Sequence, residues 1–125
     1  MVGIVIVSHS QKLAKGVVEI AGMMANAPLA AAGGLEDGSL GTSYEKICAA
    51  IEAVYSADGV IILMDMGSAV MTTEMVLENL AKPNVKMLDC PLVEGAVLAA
   101  VESAGGKSLE EISERVKETR TTKKF

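Results

Sequence analysis

Apolar residues occur along this chain in two alternating patterns. Short unbroken runs such as GIVIV at 3–7 and VIILM at 60–64 have no polar position within them, which is typical of strands covered on both faces of a parallel sheet. Between these runs, apolar residues recur every three or four positions, which indicates amphipathic helices. The alternation predicts an α/β fold with an open, mostly parallel sheet of four or five strands and helices on both faces.

The predicted elements alternate from strand to helix. We expect strands at 3–7, 29–32, 60–64 and 85–88, and helices at about 10–24, 42–54, 68–80, 92–104 and 108–118. The segments TSYE at 42–45 and SLEE at 108–111 match the capping box that begins a helix. Residues 33–41 contain four glycines and are predicted to form a loop. We expect a single domain over residues 1–125, with a frayed tail from about residue 119.

Composition narrows the classes of function. Sixteen acidic against eleven basic residues give a net charge of -5, and only three aromatic residues are present, which argues against nucleic-acid binding. No apolar run approaches the ~20 residues that span a bilayer, and no charged segment precedes a signal-peptide core, so we predict a cytoplasmic protein without a membrane partner. Cys48 and Cys90 form no C-x-x-C motif, which favours reduced thiols over a metal site.

The only histidine, His9, stands where the first strand ends. Ligands of open parallel sheets bind beyond the carboxyl ends of the strands, and Asp65 follows the third strand at that same edge. If the two strands are neighbours, the Asp65 carboxylate can accept a hydrogen bond from one imidazole nitrogen and leave the other as a nucleophile. Glycines in the 33–41 loop and the helix starts at Thr42 and Ser68 offer uncharged donors, which favour a phosphoryl group.

Four segments in this order resemble one known family. They are GIVIVSHS at 3–10, GGLEDGSLGTS at 33–43, VIILMDMGSA at 60–69 and CPLVEGAVLAA at 90–100. Together they are similar to the DhaM family, the phosphotransferase subunits of the phosphoenolpyruvate-dependent dihydroxyacetone kinase, which is related to the mannose-class enzyme IIA domains. The resemblance runs from residue 1 to about residue 105.

The resemblance implies a phosphoryl relay with a phosphohistidine intermediate and no cofactor. His9 would be phosphorylated by the carrier protein HPr and would pass the group to ADP bound on DhaL, which serves DhaK indirectly. Asp65 matches the carboxylate that supports the active histidine. The implied phosphoryl-binding positions are Gly38, Gly41, Thr42, Ser43, Gly67 and Ser68.

The resemblance also implies a homodimer, and a donor on a separate protein because 125 residues leave no room for further domains. The Met-rich third helix with Met66, Met71 and Met75, or the fourth helix, would form the interface, although a core role for these methionines is equally compatible with the sequence. We expect an open apolar rim around the site, to which Met66, Leu35 and Leu40 are suited.

Three other functions are weighed against this relay. A mannose-class enzyme IIA component of a sugar phosphotransferase system is one, although the turn after Asp65 reads GSAV and not the GGSP-like turn of that class. A non-catalytic flavodoxin-like binding module is the second. A hydrolase that uses Ser8 or Ser10 with His9 and Asp65 is the third, and it is disfavoured because adjacent residues of a strand point to opposite faces.

Overall fold

The fold consists of four strands and five α-helices that alternate along most of the chain. The computed structural model describes all residues from Met1 to Phe125. The strands are β1 (Gly3–Ser8), β2 (Leu29–Gly33), β3 (Val60–Met64) and β4 (Val85–Met87). The helices are α1 (Gln11–Met24), α2 (Tyr44–Val54), α3 (Val70–Leu80), α4 (Leu92–Ala104) and α5 (Leu109–Glu118), and a short 3-10 helix (Gly67–Ala69) precedes α3.

The strands form one parallel sheet in the order β2-β1-β3-β4. The predicted α/β fold with an open parallel sheet is therefore confirmed, with four strands. In the register of the central pair, Val7 of β1 lies beside Met64 of β3. This register brings the carboxyl ends of the first and third strands side by side, so the residues that follow them, His9 and Asp65, share one edge of the sheet.

Two hydrophobic layers cover the sheet because the central strands are apolar except for Ser8 at the end of β1. Alternate side chains of β1 point to opposite faces. Ile4 and Ile6 pack in the layer formed with α1, α4 and α5. Val5 and Val7 pack in the layer formed with α2 and α3. Burial on both faces favours apolar residues at every position, which explains the unbroken apolar runs.

One of the two predicted capping boxes is present and the other is wrong. At the start of α5, the Ser108 hydroxyl accepts the Glu111 N–H and the Glu111 side chain accepts the Ser108 N–H, as predicted. At the start of α2, the cap is Ser43 and not Thr42, because the extended Ser43 accepts the Lys46 N–H. The Thr42 hydroxyl is instead engaged at the third helix.

The third helical segment also begins differently from the prediction. The chain first makes the 3-10 helix Gly67–Ala69, and the α-helical hydrogen bonding starts at Val70. Met71 and Met75 stand on the outer surface of α3, with 76% and 55% of their area exposed, and Met66 before the 3-10 helix is 55% exposed. The methionines of this segment are therefore surface residues, and the alternative of a core role is wrong.

The chain after α5 continues in turns over the surface. The Lys124 ammonium lies 3.2 Å from a carboxylate oxygen of Glu94 at the start of α4. Exposed ion pairs of this kind contribute little to stability. No helix of this fold has both the length and the apolar character needed to cross a membrane.

Candidate functional site

The site lies at the carboxyl edge of the sheet, where His9 directly follows β1. The side chain of His9 is 23% exposed. Its backbone is fixed by the glycine-rich loop, because the His9 carbonyl accepts the Gly41 N–H at 2.8 Å and the Ser8 carbonyl accepts the Gly34 N–H at 3.2 Å. The loop therefore folds around the end of β1 and holds the backbone that carries the imidazole.

Asp65 is the carboxylate that contacts the histidine. Its Oδ1 lies 3.0 Å from His9 Nδ1, and its Oδ2 accepts the His9 backbone N–H at 3.0 Å. The Ser8 hydroxyl donates to the same Oδ2 at 2.8 Å. The Asp65 N–H donates to the Val7 carbonyl, which extends the pairing of β1 with β3 to this residue. The contact between His9 and Asp65 that the strand order predicts is thus present.

Hydrogen bonding keeps Asp65 ionised. Partial burial is the largest single influence and raises the pKa of the Asp65 carboxyl, but the donors from the His9 backbone, the Ser8 hydroxyl and the His9 ring together outweigh it and hold the pKa below its ordinary value. An ionised carboxylate can only accept, so Nδ1 carries the proton of a neutral imidazole. The free electron pair of His9 is therefore on Nε2.

The contact to Nε2 comes from the 3-10 helix that follows β3. The Ser68 hydroxyl lies 2.9 Å from His9 Nε2. Met66, at the cap position of the 3-10 helix, provides no side-chain hydrogen bond, and the amides of Gly67 and Ser68 donate to no group of the chain. The first amides of a helix bind anions well because they have no intrahelical acceptor. The Ser68 hydroxyl thus contacts Nε2, and two amides at the start of the same 3-10 helix are free.

The other predicted phosphoryl-binding residues lie in the loop and at the start of α2. The Gly41 amide is used by His9, and the Thr42 hydroxyl is 3.1 Å from the Thr72 hydroxyl of α3. The Ser43 hydroxyl donates to Glu36 and caps α2, and Gly38 lies in the loop with a φ of +88°. Of these residues only Gly41 hydrogen-bonds His9, and a direct role for them in phosphoryl binding stays a prediction.

Close packing explains one glycine of the loop segment. A Cβ atom at Gly33 would lie 2.5 Å from the Ser10 carbonyl oxygen and 2.7 Å from the Ala14 Cβ. Only glycine therefore allows the end of β2 to approach the first turn of α1 this closely. This approach sets the distance between the glycine-rich loop and His9.

The surroundings of the site are partly apolar and open. Leu40 is 75% exposed and Met66 is 55% exposed, as expected for an open rim, whereas Leu35 is half-buried over Gly41.

Beside Asp65 lies a cleft of about 360 Å³ between the ends of β3 and β4, and its lining residues include Met64, Met66, Val70, Met87, Leu88, Asp89 and Cys90. Burial raises the pKa of the Cys90 thiol to about 11, so this thiol is neutral at physiological pH.

Sequence reasoning missed the part that Ser8 plays. Ser8 was considered only as a nucleophile, with its side chain on the face opposite to the imidazole, whereas the Ser8 hydroxyl and the His9 ring both contact the Asp65 carboxylate. In the structure Ser8 is fully buried, and its hydroxyl bonds the carboxylate that holds the imidazole. A small hydroxyl residue at the end of an otherwise apolar strand is the signal that could have indicated such a buried polar contact.

Comparison with known proteins agrees with the resemblance found from the four sequence segments. Residues 3–113 match the EIIA-man family, described as the PTS system fructose IIA component. A phosphoryl donor subunit DhaM of PEP-dependent dihydroxyacetone kinase from Escherichia coli is 41% identical in an alignment 120 residues long, which covers 90% of this chain and 25% of that protein. The chain spans about a quarter of the length of this relative.

Shorter relatives match over nearly their whole length. The phosphotransferase subunit DhaM of PTS-dependent dihydroxyacetone kinase from Lactococcus lactis is 39% identical, over 91% of this chain and 92% of that protein. A crystal structure titled unknown function protein EF1359 superposes with a TM-score of 0.83 at 26% identity, over 100% of this chain and 99% of the other. The chain belongs to the EIIA-man family of phosphotransferase-system IIA components, within which its relatives are DhaM subunits.

Proposed function

We propose that this chain is the phosphoryl donor subunit of a phosphoenolpyruvate-dependent dihydroxyacetone kinase and that Nε2 of His9 carries the phosphoryl group. The observation that supports the proposal most strongly is the opposite orientation of the two ring nitrogens. Nδ1 lies 3.0 Å from the Asp65 carboxylate, and Nε2 lies 2.9 Å from the Ser68 hydroxyl of the 3-10 helix. The names of the relatives supply the substrate.

In the first step, His9 takes the phosphoryl group from a phosphohistidine of the carrier protein HPr. The lone pair on Nε2 attacks phosphorus, and the bond between phosphorus and the donor imidazole breaks as the new bond forms. The His9 ring then carries a positive charge with its proton still on Nδ1. Asp65 stabilises this cation because its ionised carboxylate accepts that proton's hydrogen bond.

In the second step, the phosphoryl group leaves for ADP held by DhaL. A terminal phosphate oxygen of ADP attacks phosphorus, the bond to Nε2 breaks, and the electron pair returns to the ring to regenerate neutral His9 and yield ATP. ATP then serves the phosphorylation of dihydroxyacetone on DhaK. These partners act in the cytoplasm, to which we therefore assign the protein.

Uncharged donors suit a group that must be released again. The Ser68 hydroxyl and the amides of Gly67 and Ser68 can bind phosphoryl oxygens without the strong attraction of a cation. No lysine or arginine forms a hydrogen bond or ion pair with His9, Asp65 or Ser68. The site therefore stabilises the transferring phosphoryl group through uncharged hydroxyl and amide donors, which do not bind it too tightly for release.

The exposed methionine surface supports the assignment of a homodimer. Met66, Met71 and Met75 are each more than half exposed and follow one another along the 3-10 helix and α3. Flexible methionine side chains adapt to a protein partner. We assign this surface to the contact between two copies. A sedimentation measurement tests the assignment, because Met71→Glu combined with Met75→Glu is then expected to give monomers.

Phosphorylation of the purified protein tests the relay. Incubation with phosphoenolpyruvate, enzyme I and HPr is expected to add the mass of one phosphoryl group, and His9→Gln is expected to abolish the gain. Ser39→Ala, in the exposed part of the loop, is the control and is expected to react like the wild type. An unchanged wild-type mass, with HPr itself phosphorylated in the same mixture, would overturn the proposal.

A second candidate, a IIA component of a sugar phosphotransferase system, is favoured by the family description. The acceptor distinguishes the two functions. The phosphorylated protein is expected to lose its group and produce ATP when DhaL and ADP are added. Transfer only to a sugar-specific IIB component, with no ATP formed, would support the second candidate.

A further inference from the structure

The buried hydroxyl of Ser8 has a fixed direction. Ser8 Oγ lies 3.0 Å from the Ser10 backbone nitrogen and 2.8 Å from Asp65 Oδ2. A backbone amide can only donate, so the Ser8 oxygen accepts from Ser10. Its own proton therefore points to the carboxylate. Since Ser8 is fully buried, water does not compete for this hydroxyl.

The two oxygens of Asp65 consequently have separate tasks. Oδ2 accepts from the Ser8 hydroxyl and from the His9 backbone, whereas Oδ1 accepts only from the His9 ring. Two donors on one oxygen fix the rotation of the carboxylate about its last bond. They also neutralise part of its charge, so less of that charge acts on the imidazole.

We propose that Ser8 is a positioning residue for the phosphoryl relay. Its hydroxyl helps to orient the Asp65 carboxylate toward His9, and it weakens the electrostatic attraction between that carboxylate and the phosphorylated ring so that the phosphoryl group can leave. The inference rests on the proposed function. Phosphorylated His9 is a cation that Asp65 stabilises, and a carboxylate relieved of the Ser8 donor stabilises it more strongly. Without the hydroxyl, the His9 backbone N–H still holds Oδ2 and keeps the carboxylate oriented, so the stronger interaction with the cation dominates. Uptake of the group is then favoured and release is slowed.

The titration of Asp65 supports this arrangement. After partial burial, which raises the pKa of the Asp65 carboxyl, the Ser8 hydroxyl is one of the donors that lower it. The alternative is a purely structural role for Ser8, whose oxygen supports the turn into α1 through the Ser10 amide. Such a role predicts a loss of stability without a change in the chemistry of Asp65.

The test compares variants of Ser8 that keep or lose the hydroxyl. Ser8→Thr retains it, whereas Ser8→Val has nearly the same shape without it, so the pair separates the hydroxyl from the packing. Ser10→Ala is the neighbouring control, since the Ser10 side chain caps α1 and does not contact Asp65. Ser8→Ala completes the series, and circular dichroism shows which variants are folded.

Two measurements are made on the folded variants. Carbon-13 NMR of the side-chain carboxyl is expected to show a higher pKa of Asp65 in Ser8→Val and Ser8→Ala, and the wild-type value in Ser8→Thr and Ser10→Ala. Release to DhaL and ADP is expected to slow about tenfold in the variants without the hydroxyl, which corresponds to one lost hydrogen bond to a charged group. The equilibrium with HPr is expected to shift toward the phosphorylated protein.

The outcomes separate this inference from the proposed function. Wild-type titration of Asp65 in Ser8→Val and Ser8→Ala, with unchanged release, would overturn the positioning role. Failure of the wild type to accept a phosphoryl group would overturn the proposed function and with it the effect on release. The NMR titration would then still decide whether Ser8 controls the Asp65 carboxylate.

Discussion

The two helix starts beside His9 differ in how their first amides are used. At α1, the Ser10 side chain accepts the Leu13 N–H at 3.2 Å, so the chain itself satisfies this donor. At the 3-10 helix, Met66 provides no such acceptor, the amides of Gly67 and Ser68 are free, and the Ser68 hydroxyl points to His9 Nε2. The imidazole faces the uncapped start.

This difference shows what each helix start does. A capped start stabilises the fold, because its donors have lost their affinity for outside anions. An uncapped start leaves its donors to a ligand, at some cost in stability. The first start holds the turn that carries the nucleophile, and the second is left for the group that the nucleophile would bind. Substitutions at either helix start, or at the residue that orients the imidazole between them, test this difference.

The largest effect is expected for Asp65→Asn, because this residue decides which nitrogen faces the uncapped start. The amide group of asparagine can donate to Nδ1, which would move the ring proton to Nε2 and remove the nucleophile. Phosphorylation by HPr is expected to slow about a hundredfold, as is typical when a carboxylate that supports a histidine is lost. Rapid-quench mass spectrometry measures the rate.

The same variant gives a pH dependence whose sign follows from Asp65. The folded state lowers the pKa of this carboxyl, so its interactions stabilise the protein above the ordinary pKa and are lost as the pH falls through the folded value. The difference in free energy of unfolding between wild type and Asp65→Asn is therefore expected to shrink below about pH 4. A constant difference down to pH 2 would contradict the role given to the ionised carboxylate.

A cap added to the second start is expected to make it resemble the first. Met66 has an extended backbone with φ of -142°, which suits a capping side chain. In Met66→Asp, the carboxylate would bind the free amides and repel the phosphoryl group, so phosphorylation is expected to slow about tenfold to thirtyfold. The free energy of unfolding is expected to rise by about 0.5–1 kcal/mol.

Met66→Asn separates capping from charge in that experiment, since asparagine caps without a negative charge. We expect an intermediate rate, because the amides are occupied but the repulsion is absent. If both variants are phosphorylated as fast as the wild type, the free amides of the 3-10 helix have no part in the reaction.

A smaller effect is expected for Ser68→Ala, which removes the hydroxyl beside Nε2 and leaves the amides in place. One lost hydrogen bond to a charged group predicts a rate about fivefold to tenfold lower. The time course of phosphorylation by HPr measures it, and Ser39→Ala serves as the matched loop variant. Equal rates for the two variants would show that Ser68 only occupies the space next to the ring.

The smallest effect on the reaction is expected for Ser10→Ala, at the capped start. The loss of the cap is expected to lower the free energy of unfolding by about 1 kcal/mol, measured by urea denaturation. Phosphorylation is expected to stay within about twofold of the wild type, because the Ser10 hydroxyl bonds the Leu13 N–H and contacts neither His9 nor Asp65. A large loss of rate at unchanged stability would contradict the division between the two starts.

Much of the fold and the central pair of the site could be predicted from the sequence. Unbroken apolar runs identify strands buried on both faces, and the rule for parallel sheets then places the residues after β1 and β3, His9 and Asp65, at one edge. Both steps depend only on patterns within short stretches of the sequence, and not on which distant residues come into contact.

The parts that escaped prediction depend on contacts between distant segments. The choice of Ser43 over Thr42 as the cap of α2 was not visible, because Thr42 bonds Thr72 of a helix 30 residues further along the chain. The alternation of side chains along a strand predicts Ser8 and His9 on opposite faces, but His9 lies beyond the end of β1 and both side chains contact Asp65. The partner of Ser8 is 57 residues away.

The two hydrophobic layers have a consequence for how mutations far from the edge would act. His9 leads into α1, which is anchored in one layer, whereas Ser68 leads into α3, which is anchored in the other. The 2.9 Å gap between the ring and the hydroxyl thus joins two separately packed halves of the interior. A core substitution that loosens one layer would move either His9 or Ser68 and leave the other in place. Conservative substitutions in either layer are therefore expected to change the distance between His9 Nε2 and Ser68 Oγ without contacting the site.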